Sequence, residues 1–151
     1  MIEGVKIRPL LKRMDDRGYL MEVLRDDDPE FTRFGQVYVS TCLPGVVKAW
    51  HAHRLQTDYL CVLRGIAKFG LYDGREGSPT YRQSQAVVTG EVSSVLLQIP
   101  PLVWHGYMAL GSEPVYIMNI PTVHYNREDP DELRMDPFEN DFGFEWLPQS
   151  R

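Results

Sequence analysis

Residues Gly45 to Gly65 read GVVKAWHAHRLQTDYLCVLRG. Successive side chains of a strand point to opposite faces, so His51 and His53 share one face while Trp50, Ala52 and Arg54 share the other. Asp58 follows in the next apolar run, and Gly65 closes the segment with a turn. A later stretch, IPPLVWHGY (Ile99 to Tyr107), supplies His105. In a sheet closed on itself, His105 can join the first two imidazoles in the interior. The expectation is a small β-barrel with a histidine-lined cavity, and such a cavity is a natural site of chemistry.

The flanking sequence agrees with this reading. Short runs such as YLMEVLR, QVYVSTCL, AKFGLYD, QAVVTG, SSVLLQIP and PVYIMNI are rich in β-branched and aromatic residues. Turn clusters separate them, the spacing of a sandwich or barrel. VKIRPLLKR (Val5 to Arg13) reads as one of these short strands. Asn126–Arg134 offers at most a short turn of helix, since Pro130 interrupts it. The 151 residues suffice for one domain, taken as 1–151, in which 126–151 folds back over the barrel mouth.

Composition narrows the class. No apolar run approaches the ~18 residues of a membrane span, and the N-terminus lacks a signal core, so a cytoplasmic protein is expected. Cys42 and Cys61 sit in apolar runs without metal or framework spacing, which suits buried reduced thiols. A net charge of −5 argues against a nucleic-acid surface but leaves room for a local basic pocket binding an anionic small molecule.

Gly45, His51, His53, Asp58 and Gly65 are close to the first cupin motif, with Asp where Glu is usual. Pro100–His105 resembles the second, with Leu102 in place of its glycine. His51, His53, Asp58 and His105 would together make a three-histidine, one-carboxylate shell suited to Fe, Mn, Ni or Zn. Taken singly, each histidine is more readily explained as a hydrogen-bonded interior side chain.

DDRGYLMEV, QVYVS, KAWH, GSPTYR, IPPLVWHGYMALG, PTVHYNREDPDE and GFEW occur in the order found in the nucleotide-sugar 3,5-epimerases. The chain resembles that family, typified by dTDP-4-dehydrorhamnose 3,5-epimerase, over nearly its whole length. The resemblance implies an all-β, cupin-type jelly-roll barrel (a double-stranded β-helix), a homodimer, and catalysis without metal or organic cofactor. The implied ligand is a nucleoside-diphosphate 4-keto-6-deoxy sugar, dTDP-linked in the type family. Hydrogens flanking its keto group are acidic, so inversion needs a base on one face, an acid on the other, and enolate stabilisation.

On this resemblance His51 falls on the base and Tyr125 on the proton donor, though Tyr125 by itself reads as a core aromatic. The carboxylate that orients the base is Glu139 by ungapped counting from Trp146, or Asp136 by its Asp-Pro pair. Arg17 falls on a diphosphate contact, and Glu22 and Gln36 on nucleotide contacts. Three positions depart. Lys48 stands for an arginine, losing the bidentate fork. Asp58 stands where a lysine supports the enolate, reversing the charge. His53 is an added histidine, and H-x-H with PP-x-x-W-H is similar to the dTDP-sugar 3,4-ketoisomerases, where His51 and His53 would share the proton transfers. A metal-dependent cupin enzyme and a non-catalytic sugar-nucleotide binding domain are the remaining alternatives, and His105 is a substrate contact or a ligand accordingly.

Overall fold

The computed structural model describes residues 1–148. In chain order the strands are β1 (Lys6–Pro9), β2 (Lys12–Asp15), β3 (Gly18–Met21), β4 (Tyr38–Cys42), β5 (Val47–Ala52), β6 (Asp58–Arg64), β7 (Ile66–Asp73), β8 (Ser84–Gly90), β9 (Val95–Ile99), β10 (Val103–Leu110), β11 (Val115–Asn119) and β12 (Leu133–Arg134). One five-stranded sheet runs β1-β9-β6-β11-β4 and the other β12-β5-β10-β7-β8; β2 and β3 form a separate hairpin. The fold is an all-β, cupin-type jelly roll. Among the described residues no helix is long and apolar enough to cross a membrane.

Two expectations about elements are corrected. The run from Val5 to Arg13 is two strands, because Pro9 has no N–H for the ladder and the chain leaves the sheet there. Asn126–Arg134 contains no helical turn; its end is β12, pairing Leu133 with Ala52 and Arg134 with His51. Only the partner strand reveals such a two-residue element. Cys42 and Cys61 are free and buried.

The core between the sheets joins Leu60, Val62, Leu97, Ile99 and Ile117 of one sheet to Phe69, Leu71 and Val103 of the other. A second cluster covers the outer face of β5, β7 and β10. There Phe142 and Trp146 of the C-terminal segment bury themselves against Trp50, Tyr72 and Met108. Phe142 stacks on Tyr72 at 3.8 Å between centroids, and Trp146 lies 4.9 Å from Trp50. Double coverage explains why β7 and β10 are nearly continuously apolar rather than alternating. Gly106 lets β5 and β10 approach closely, since an added Cβ would stand 2.2 Å from that of Ala49. The register of this pair shifts at that point.

Candidate active site

Alternation along β5 sends Trp50 outward into the aromatic cluster and His51 inward. β10 supplies His105 directly opposite His51 in the ladder. His53 lies just beyond β5, and the 53–56 turn that holds it is fixed from below. Asp131 accepts the N–H groups of Arg54, Leu55 and Gln56 at 2.8, 2.9 and 3.1 Å, and its carbonyl receives Nδ1 of His53. Leu102 adopts a left-handed φ of 63°, the conformation that favours glycine at this place, and donates its N–H to the His53 carbonyl at 2.7 Å. The three imidazoles therefore converge: His51–His105 ring centroids are 4.1 Å apart, His51–His53 5.7 Å and His53–His105 5.8 Å.

Asp58 enters from β6 of the opposite sheet, 1% exposed. Its Oδ1 accepts from Gln56 Nε2 at 2.8 Å and Asn119 Nδ2 at 2.7 Å. Its Oδ2 lies 3.3 Å from His105 Nε2 and 3.4 Å from His53 Nε2. Burial opposes its ionisation, but His105, His53 and the Asn119 amide outweigh burial and hold its pKa below the usual carboxylate range. Burial first, then His105, pushes the His51 imidazole well below its ordinary pKa, leaving it neutral at neutral pH.

Two adjoining cavities of about 560 and 820 Å³ share Tyr38, His51, Glu132 and Arg134 in their walls. Lys48 lines the first; Gln36, His53 and Tyr125 line the second. Tyr125 is half exposed at the rim, its backbone N–H bonded to Gln36 Oε1 at 3.2 Å. The remaining candidates stand elsewhere. Arg17 is exposed on the β2–β3 turn and paired with Asp15, while Glu22 pairs with Arg25. Asp136 caps its own turn, accepting the N–H groups of Phe138 and Glu139 at 2.8 Å each, and neither Asp136 nor Glu139 lines either cavity. The carboxylate in contact with His53 and His105 is Asp58.

Three contributors were not among the sequence candidates. Tyr38 lines both cavities, accepts from Asn119 Nδ2 at 2.9 Å, and has its pKa raised to about 12 chiefly by burial. Arg134 brings a second cation, paired with Glu132 at 2.7 Å. Asp131 organises the His53 turn. PTVHYNREDPDE was legible as a motif, but the contacts of Asp131 and Arg134 depend on the β12–β5 pairing.

A jelly roll with His51 in the shared wall of two adjoining cavities is the architecture of the cupin-type isomerases. The sequence profile described as dTDP-4-dehydrorhamnose 3,5-epimerase matches residues 1–151, and the chain belongs to that family of sugar epimerases. It is 41% identical to the spore coat polysaccharide biosynthesis protein SpsL of Bacillus subtilis over 151 residues, covering 100% of both chains. With the probable low-salt glycan biosynthesis epimerase Agl13 of Haloferax volcanii it shares 40% identity over 141 residues, 89% of this chain and 87% of the relative. The crystal structure of a dTDP sugar isomerase from Desulfovibrio desulfuricans superposes with a TM-score of 0.90 at 34% identity, covering 96% of this chain and 92% of the other.

Proposed function

We propose that the chain inverts carbon centres flanking the keto group of a nucleoside-diphosphate 4-keto-6-deoxy sugar, as a homodimer, with His51 as base and Tyr125 as acid. The observation that carries this reading is His51 itself, a neutral imidazole in the shared wall of two cavities. Their size suits a sugar ring and its nucleotide. His51 takes the proton from carbon, the C–H pair becomes the enolate double bond, and the carbonyl pair moves to oxygen. A proton from Tyr125 then reaches the same carbon on the other face. Redox state is unchanged throughout.

Lys48 and Arg134 supply positive charge for a diphosphate in an otherwise acidic chain. The family description and the glycan-biosynthesis names of the relatives support a sugar nucleotide, dTDP-linked in the type family. The 3,4-ketoisomerase alternative needs His53 free to carry a sugar proton. Both its ring nitrogens face protein groups, Nδ1 the Asp131 carbonyl and Nε2 the Asp58 carboxylate, which favours the epimerase. The test is incubation with dTDP-4-keto-6-deoxyglucose in D₂O, followed by NMR. Deuterium at C3 or C5 with inversion supports the reading; a 3-keto product would replace it with the ketoisomerase.

A further inference from the structure

Among the described residues, Tyr38, His51, Glu132 and Arg134 line both cavities. Glu132 and Arg134 pair with each other. Tyr38 stands on β4, opposite Asn119 of β11 in the ladder, and belongs to the sheet facing the one that carries His51.

The Asn119 amide decides what the Tyr38 hydroxyl can do. Its Nδ2 lies 2.7 Å from Asp58 Oδ1 and 2.9 Å from Tyr38 Oη. Asp58 is held ionised, with its pKa below the usual carboxylate range, so its oxygen only accepts and the amide nitrogen must be the atom that faces it. An amide nitrogen donates and does not accept. The Tyr38 oxygen therefore accepts from Asn119 and keeps its own hydrogen, which meets no acceptor among the described residues. This arrangement is kept although it leaves the buried Asn119 Oδ1 without a partner among those residues.

We propose that Tyr38 is a further catalytic residue, whose O–H donates to the keto oxygen of the sugar and holds the charge that builds there as His51 removes the neighbouring proton. The assignment rests on the epimerase reading. Enolate formation moves the carbonyl pair onto oxygen, and a donor already aimed at that oxygen lowers the barrier. Asp58 cannot serve, because it lines neither cavity and its oxygens face Gln56, Asn119, His53 and His105. Lys48 lines only the first cavity and points to Ser40 Oγ at 3.4 Å. Burial chiefly, reinforced by Asp58, Tyr107 and Glu132, raises the Tyr38 pKa to about 12, so the phenol stays a donor at neutral pH. Its proton remains on the phenol throughout. The hydrogen bond strengthens as the enolate forms and relaxes when Tyr125 delivers a proton to carbon and the pair on oxygen restores the carbonyl.

The experiment compares wild type with Tyr38→Phe, which removes one oxygen from a partly exposed ring. Exchange into dTDP-4-keto-6-deoxyglucose in D₂O is followed by NMR, and dTDP affinity by calorimetry. Tyr38→Phe should lower kcat for exchange at least about 100-fold, with KM and dTDP affinity within about threefold of wild type. A ring-fluorinated tyrosine in place of Tyr38, whose phenol is more acidic, should restore exchange and bring its alkaline limit to lower pH, a shift that lost packing does not produce. Exchange in Tyr38→Phe within about threefold of wild type, a raised KM with kcat unchanged, or an alkaline limit that fluorination does not move would overturn the assignment and leave the epimerase standing. Absence of exchange in wild type would overturn both.

Discussion

His51 and His105 stand directly opposite each other on β5 and β10, their ring centroids 4.1 Å apart. Fifty-four residues separate them along the chain, so the pairing is a product of sheet register. His105 reinforces burial in keeping His51 neutral, the state a base needs.

His51→Asn is therefore expected to abolish deuterium incorporation next to the keto group, a loss of at least about 100-fold in exchange rate. Tyr125→Phe should spare exchange at the first carbon and block net inversion, because only reprotonation needs the phenol. Equal loss in both variants, followed by NMR in D₂O, would assign Tyr125 to binding.

Removal of the Asp131 clamp should misplace His53 without emptying the core. Three N–H groups lose a charged acceptor in Asp131→Ala, at a cost of about 2–3 kcal/mol. Urea titration measures that loss, and Asp131→Asn should recover part of it.

Acid sensitivity should be traceable to Asp73. This carboxylate is fully buried and bonded to Arg75, Ser78 Oγ and Thr80 Oγ1, the hydroxyls at 2.6 Å each. Burial raises its pKa, but Arg75 and the hydroxyls lower it more, to below its ordinary 3.8. Its folded pKa being depressed, its stabilisation is complete above the unfolded value and fades as pH falls below about 4. Asp73→Asn should cost about 2–4 kcal/mol at pH 7 and flatten the stability slope below pH 4. A slope unchanged in thermal melts across that window would contradict the assignment.

Trp146→Ala removes a ring packed on Trp50 and should cost about 3–5 kcal/mol. Since Trp50 precedes His51 on β5, activity should fall together with the melting temperature, and Trp146→Phe should restore much of both.

The β2–β3 hairpin should mediate dimerisation. It is a two-stranded unit, which is marginal alone, and it leaves Met14 and Leu20 76% and 60% exposed. Sedimentation equilibrium is expected to show a dimer for the native chain and a monomer for Leu20→Glu. A native monomer at micromolar concentration would remove the hairpin from this role.

Local pattern exposed much of this architecture. Alternation in VKAWHAH separates Trp50 from His51 correctly, because one face meets the aromatic tail and the other the cavity. Apolar runs bounded by turns marked most of the strands. What local pattern could not supply was pairing between distant segments. β12 contributes two residues, too few for a period, and Arg134 reaches the cavity only because it pairs with His51. Asp58 was visible as a ligand candidate, yet its bond to Asn119 depends on the β6–β11 ladder. Asp136 looked like a histidine partner in its Asp-Pro context, but the same context favours a capped turn, and its oxygen is spent there.

The aromatic seat of the C-terminal segment also makes the molecule its own optical reporter. All three tryptophans, Trp50, Trp104 and Trp146, belong to or pack against that one cluster. Trp50 and Trp104 each immediately precede one of the clustered histidines, His51 and His105. Intrinsic fluorescence therefore follows the seating of the tail and the surroundings of the histidine-bearing strands in a single signal, with no label required.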